Sequence, residues 1–132
     1  KGGASSWWSL NLKVEGRRVA IAHHASMGGQ PWTSPDAARK LAARLQFEAS
    51  QNEDVLPDIV FRSHVHQLAD SYDAHRVRVV FLPAWTFATE YVHRIAPDAI
   101  AQIGAALLHV DGRRYEIEKI EYKPGGRKWQ VL

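Results

Sequence analysis

The sequence contains no cysteine. Disulfide bonds, cysteine-bound zinc and iron–sulfur clusters are therefore excluded, and a metal site in this chain would need histidine, aspartate, glutamate or asparagine ligands. A chain without a disulfide framework fits a reducing compartment, so we expect a cytoplasmic protein.

Long apolar runs and blocks of like charge are also missing. No run is long enough to cross a bilayer and no N-terminal stretch resembles a secretory signal, so we expect no membrane partner. The 132 residues are 45% hydrophobic and 23% charged, as in an ordinary globular domain or part of one. The formal net charge is +3, but the basic residues are dispersed and indicate an anionic partner only weakly.

Hydrophobic periodicity predicts a hairpin followed by one long helix. Residues 6–14 alternate between apolar and polar side chains, and residues 18–22 return after a Glu15-Gly16 turn. Residues 34–49 repeat apolar side chains at helical spacing behind Ser34, a good N-cap residue. The apolar face of this helix is expected to consist of Ala38, Leu41, Ala42 and Leu45.

The rest of the chain predicts two single strands and a second hairpin. The short apolar run 58–62 is typical of a strand buried on both faces, and the next strand, 76–82, follows a loop over 67–75. Residues 84–103 are irregular, with helical character near 88–91. Residues 104–122 fold back around an Asp-Gly turn, and a slip in their apolar phase predicts a β-bulge near Lys119.

Two histidine clusters follow predicted strands. His23-His24 ends the first hairpin, and His64 and His66 follow the strand at 58–62. Because a β-α-β unit lays two parallel strands side by side, their carboxyl ends meet at one edge of the sheet. Alternation along a strand predicts that His64 and His66 face one cavity, and that only one residue of the His23-His24 pair approaches them.

Imidazole binds zinc, iron and manganese, so the clusters predict a metal site at this edge of the sheet. The alternative is a polar strand end with solvated rings.

The order of these motifs resembles the last two motifs of the calcineurin-like metallophosphoesterases, in particular their phage and bacterial members. The resemblance rests on residues 22–29 (AHHASMGG), 31–33 (PWT), 57–66 (PDIVFRSHVH) and 82–85 (LPAW). It implies an α/β (α+β) fold that is part of an αββα sandwich, with a mixed sheet, one main helix and two hairpins. Residues 1–132 would form a single domain, the C-terminal half of a metallophosphoesterase domain.

The same resemblance implies roles for four histidines. His23 and His64 would bind one metal and His66 the other, and His24 is the candidate proton donor to the leaving group. The complete site would hold two divalent ions (Mn, Zn or Fe) and hydrolyse a phosphomonoester or a phosphodiester. Nucleic acid is among the candidate substrates. The substrate-binding residues stay unknown, because the loops that choose the substrate vary within the family.

The chain departs from the family pattern in several places. The motifs Gly-Asp-x-x-Asp and Gly-Asn-His are missing, and the chain begins at Lys1 without a methionine. We therefore expect a piece of a longer protein, inactive alone, whose partner is the N-terminal half of the same protein. Asp73-Ala74-His75 spells the family's Asp-x-His but follows the last motif, so we interpret it as a coincidence. Ser63 replaces the usual glycine and is expected to strain its turn.

A non-catalytic phage or bacterial module, structural or nucleic-acid-binding, is the alternative, with the histidines as relics. A half-domain exposes apolar surface, which favours a homo-oligomer. Arg62 and Arg94 are interpreted as phosphate contacts or salt-bridge partners. The remaining histidines, His75, His93 and His109, are interpreted as surface or packing residues. The tryptophans are interpreted as core and loop packing residues, with stacking on nucleic-acid bases as the alternative, namely Trp7, Trp8, Trp32, Trp85 and Trp129.

Overall fold

Three short parallel strands form the centre of the fold, which we describe from a computed structural model over residues 8–24, 34–86, 90, 94, 102–112 and 114–122. The five strands of this sheet are β1 (Ser9–Val14), β2 (Arg17–Ala22), β3 (Ile59–Arg62), β4 (Ala69–Asp70) and β5 (Arg78–Phe81). Their order is β1-β2-β3-β5-β4. Strands β2, β3 and β5 run parallel, and β1 and β4 pair antiparallel at the two edges. The predicted mixed sheet is confirmed.

The first hairpin forms as predicted, from Ser9 to Ala22, whereas residues 6 and 7 of the prediction lie outside the described part of the chain. Its turn residues Glu15 and Gly16 both have left-handed backbone, with φ of 45° and 86°. Two such residues make the two-residue turn that matches the twist of a hairpin.

The main helix, α1 (Ser34–Asn52), packs on one face of the sheet and ends three residues later than predicted. Beyond its end, Glu53 has φ of 53° and the Asp54 N–H donates to the Ala49 carbonyl at 3.0 Å. This is a Schellman closure with glutamate in the place where glycine is usual. The side chains that pack between helix and sheet include the predicted Ala38, Leu41, Ala42 and Leu45, against Val60, Val79 and Phe81. No helix within the described residues is long and apolar enough to cross a membrane.

The second hairpin covers the opposite face of the sheet. It consists of β6 (Ile103–Asp111) and β7 (Arg114–Tyr122), which form a separate two-stranded sheet. Apolar side chains fill the space between the two sheets: Val19, Ile59, Phe61, Val80 and Ile117. The layers are therefore helix, mixed sheet and hairpin.

The bulge predicted near Lys119 is wrong, because β6 and β7 pair in one unbroken register from Asp111–Arg114 to Ile103–Tyr122. The inward-facing positions are Tyr115, Ile117 and Lys119, whereas Ile120 is 42% exposed on the outer face. Lysine occupies an inward position because its ammonium group meets a buried carboxylate beneath it.

That carboxylate belongs to Asp70, whose side chain is only 2% exposed. Arg78 donates to it through two nitrogens, at 3.1 and 2.8 Å, and the Lys119 Nζ lies 2.7 Å from the same group. Burial alone would raise the pKa of Asp70, but hydrogen bonds from Arg78, Lys119 and the Tyr72 N–H outweigh it and lower the pKa. The network joins β4 and β5 of the mixed sheet to β7 of the hairpin.

The loop predicted over 67–75 is only partly a loop. It contains β4 and a one-turn 3-10 helix, Tyr72–Ala74. A two-residue strand carries no periodicity of its own, so its sequence gives no sign of the pairing with β5. Of the irregular segment, Ala84 forms a parallel bridge with Ile103 and Glu90 is helical, whereas most of 87–101 lies outside the described residues.

Replacing Asp70 with asparagine tests the buried network. Asp70→Asn keeps the side-chain shape but removes the charge that faces two cations, so we expect a loss of about 3 kcal/mol in the free energy of unfolding. Urea unfolding at pH 7 measures this loss. The matched control is Glu48→Gln, which removes the exposed ion pair with Arg44 and is expected to cost about 0.5 kcal/mol or less.

The loss of stability in Asp70→Asn is also expected to depend on pH. Because the pKa of Asp70 is lower in the folded than in the unfolded chain, its stabilisation is complete above the ordinary aspartate value of about 4. It is lost as the pH falls through the lowered pKa. The difference between wild type and Asp70→Asn should therefore shrink on acidification below about pH 4. A difference that grows instead would contradict this assignment.

Candidate metal centre

The parallel pairing of β2 and β3 brings the two histidine clusters together. Ala22 and Arg62, the last residues of the two strands, are partners in the register. One residue later, the Ser63 N–H donates to the carbonyls of Ala22 and His23, at 3.3 and 3.1 Å. This contact extends the pairing beyond the strands and places the segment after β3 beside the segment after β2.

Three imidazoles converge at this edge. The Nδ1 atom of His64 lies 3.2 Å from the Nε2 atom of His23, and the His24 ring centroid lies 4.9 and 4.7 Å from those of His23 and His64. One ligand atom from each of the three residues lies within 4.8 Å of the others. All three side chains are exposed, so an ion or a substrate from solution can reach them.

The spacing of this group fits one metal ion. Two nitrogen ligands bound at about 2.0–2.1 Å in a tetrahedral site lie about 3.4 Å apart, close to the separation of His23 and His64. The group contains no carboxylate, so its donors are neutral imidazoles that suit zinc, iron or manganese but offset none of the charge of an ion.

The prediction that only one residue of the His23-His24 pair approaches His64 is wrong. Strand β2 ends at Ala22, and His23 lies in a bend. The alternation of side chains therefore stops before this pair, and both rings reach the group.

The alternation that predicted a shared cavity for His64 and His66 also stops before these two residues. Strand β3 ends at Arg62, and both histidines have left-handed backbone, with φ of 72° and 55°. His66 is exposed and is not a member of the three-histidine group. Ser63 does not have the positive φ that its glycine-like position predicted; the left-handed residue is the next one. The assignments of metal ligands and of His24 as proton donor stay predictions.

The other histidines lie elsewhere or cannot be placed. His109 is exposed on the outer face of the hairpin, where its Nε2 lies 3.0 Å from a Glu118 carboxylate oxygen. The Asp73-Ala74-His75 segment precedes β5, at the opposite end of the parallel strands from the three-histidine group. His93 lies outside the described residues.

Arginine and tryptophan predictions have mixed outcomes. The Arg62 guanidinium donates to the Phe61 carbonyl at 3.0 Å, and burial lowers its pKa. Trp8 and Trp85 are 85% and 75% exposed, so a packing role is wrong for these two. The other three tryptophans lie outside the described residues. Within the described part of the chain, no residue beyond those predicted from sequence joins the group.

Comparison with known proteins gives matches only among solved structures. No protein-family model matches the chain, and no curated protein does. Vps29 from Entamoeba histolytica, crystallised with Zn²⁺, is 14% identical with a TM-score of 0.50, over 86% of this chain and 59% of Vps29. Vps29 from Chaetomium thermophilum is 15% identical, over 88% and 61%, with a TM-score of 0.49. A Thermotoga maritima protein is 21% identical, over 86% and 54%, with a TM-score of 0.45.

The match to Vps29 from Entamoeba histolytica shows the fold alone. The mixed sheet with one main helix is consistent with the calcineurin-like metallophosphoesterase fold that Vps29 has, as predicted. The chain spans between 54% and 61% of the length of these proteins.

The geometry predicts which histidines hold a metal in this chain alone. His64→Asn removes one ligand while keeping a residue that tolerates left-handed backbone, so we expect at least about tenfold weaker Zn²⁺ binding. Calorimetric titration measures the affinity. His66→Asn should leave it unchanged, because His66 is outside the group. An equal loss in the two variants would contradict the geometry, and His109→Asn controls for binding at an exposed histidine.

Proposed function

We propose that this chain provides the histidine part of the active site of a cytoplasmic, calcineurin-like metallophosphoesterase of the phage and bacterial type. The observation that carries the proposal is the convergence of three imidazoles at the carboxyl ends of neighbouring parallel strands. The fold that the chain shares with Vps29 supports the same class. The proposed reaction is hydrolysis of a phosphomonoester or phosphodiester.

The proposed site needs ligands from an N-terminal half of the same protein. The neutral imidazoles of His23 and His64 suit one ion, whereas a two-metal site needs carboxylates to offset the charge of two ions. His66 would join the second ion only when further ligands complete that position. The chain alone is therefore proposed to be inactive. When bound, the ions (Mn, Zn or Fe) would lower the pKa of a water molecule and offset negative charge on the phosphoryl group.

The three histidines of this chain have separate proposed roles. His23 and His64, whose facing nitrogens are 3.2 Å apart, would hold one ion. His24 would keep its proton-carrying nitrogen free and donate a proton to the leaving oxygen. Its ring lies within 5 Å of the two ligand rings, which is near enough to reach a phosphate ester at the same ion.

A non-catalytic module, structural or nucleic-acid-binding, is the second candidate. The observation that favours it is the lack of any carboxylate in the exposed three-histidine group. In this case the histidines would bind a metal weakly or not at all, and the basic excess of the chain would contact phosphate without hydrolysing it.

Hydrolysis by the longer protein distinguishes the two candidates. With Mn²⁺ or Zn²⁺ and a nitrophenyl phosphodiester or monoester, we expect turnover that His64→Asn lowers at least about 100-fold, because a metal ligand is lost. His24→Gln should lower turnover by about 100-fold with metal affinity retained, as for loss of a general acid. The 132-residue chain alone should show negligible turnover.

Two results would contradict the enzyme proposal. One is turnover that is unchanged in His64→Asn while the exposed control His109→Asn behaves like wild type. The other is salt-sensitive binding of DNA with no hydrolysis of any ester, which would support the non-catalytic module. Robust hydrolysis by the chain alone would contradict only the need for an N-terminal half.

A further inference from the structure

Strand β1 is an open edge of the mixed sheet. It pairs with β2 on one side, and no strand within the described residues pairs with it on the other. Five of its six residues are exposed, and only Leu10 is half-buried. Protected edges usually carry a bulge, a proline or several charges, whereas β1 has an unbroken register, no proline and a single charge, Lys13.

The free side of β1 carries three backbone donor–acceptor pairs. The two-residue turn at Glu15-Gly16 makes Val14–Arg17 a hydrogen-bonded pair, so alternate residues back from Val14 bond to β2. The N–H and C=O groups of Ser9, Asn11 and Lys13 therefore point away from the sheet. The intervening residues Leu10, Leu12 and Val14 form an apolar stripe on the hairpin-facing side, where Leu12 and Val14 are 40% and 37% exposed, and Trp8, which is 85% exposed, directly precedes the strand.

We propose that a second copy of this chain pairs with β1, antiparallel and centred on Asn11. A two-fold axis through Asn11 places Ser9 opposite Lys13 of the partner and Asn11 opposite Asn11. All three outward residues are then hydrogen-bonded pairs, with about six backbone hydrogen bonds across the interface. Moving the centre by one residue, to Leu10 or Leu12, shifts the register by two residues and leaves one of the three outward residues on each chain without an opposite outward residue within β1.

The side chains of β1 match their own copy in this register. Leu10 lies opposite Leu12, and Trp8 lies opposite Val14, so two exposed stripes become one continuous apolar surface across the two sheets. The lysines lie four residues apart along the paired strands, about 14 Å, which is beyond the screening length at physiological salt. The strand is therefore self-complementary in its backbone and apolar surface, and its single charge does not oppose the pairing.

Charge at position 11 tests the register. Asn11→Lys and Asn11→Asp each place two like charges opposite one another at the two-fold axis, so each variant alone should be monomeric, with a dimer dissociation constant raised at least about tenfold. A one-to-one mixture of the two variants should restore a dimer, because the opposed charges then attract. Sedimentation velocity measures all three samples. Asn52→Lys, an exposed asparagine after which α1 ends, is the matched control and should stay dimeric.

A cysteine at the axis gives a second measurement. Because the chain has no cysteine, Asn11→Cys should form one covalent dimer on mild oxidation and Asn52→Cys should not. A wild-type chain that is monomeric at a concentration on the order of 100 micromolar would overturn the proposal. So would a dimer that Asn11→Lys leaves intact, since another surface would then hold it. Neither result bears on the three-histidine group.

Discussion

The parallel pairing of β2 with β3 is the interaction on which the rest of the structure depends. Its register, from Val19–Ile59 to Ala22–Arg62, places Ala20 and Val60 under the helix and the alternate residues under the hairpin. The same register sets the two strands to end side by side. A shift by one residue would exchange the side chains that face the helix with those that face the hairpin, and it would separate His23 from His64. The core and the candidate metal centre are therefore both specified by this set of backbone hydrogen bonds.

At the amino ends of these strands, the Asp58 carboxylate holds the register. The Asp58 carboxylate accepts from the Arg18 N–H at 2.8 Å, while the Asp58 N–H donates to the Arg18 carbonyl at 2.9 Å. Burial alone would raise the pKa of Asp58, but the hydrogen bonds that its carboxylate accepts from the backbone and side chain of Arg18, together with the charges of Arg18 and Arg17, lower it. Asp70 has the corresponding role between the layers, since it joins the edge strand β4 to the hairpin through Lys119. The candidate site therefore lies at the end of the parallel strands opposite to Asp58.

Local sequence patterns predicted the elements that form through contacts between residues close together in the sequence. Both hairpins and α1 follow from turn residues and periodicity within a few positions of one another, and the meeting of two histidine clusters follows from the β-α-β order. Strand β4 and the inward Lys119 could not be predicted, because each depends on Asp70 meeting partners 8 and 49 residues away in the chain. The predictions for His24 and His66 made the same assumption. Both extended strand alternation past the true strand ends, into a bend at His23 and into left-handed residues at His64 and His66.

The conformation of His64 links the candidate site to its backbone. A left-handed residue other than glycine costs on the order of 1 kcal/mol or more, and a structure keeps it only where surrounding contacts determine it. Here the Val65 N–H donates to the Ser63 carbonyl at 2.9 Å and closes the turn around His64, while the Ser63 N–H donates to the carbonyls of Ala22 and His23. These hydrogen bonds hold the chain at the point where it turns, and the turn directs the imidazole of His64 at His23. An extended residue at position 64 would continue the strand direction past its neighbour. The convergence of the three rings therefore needs both the register of β2 with β3, which brings the two segments side by side, and the turn after β3, which directs the ring of His64.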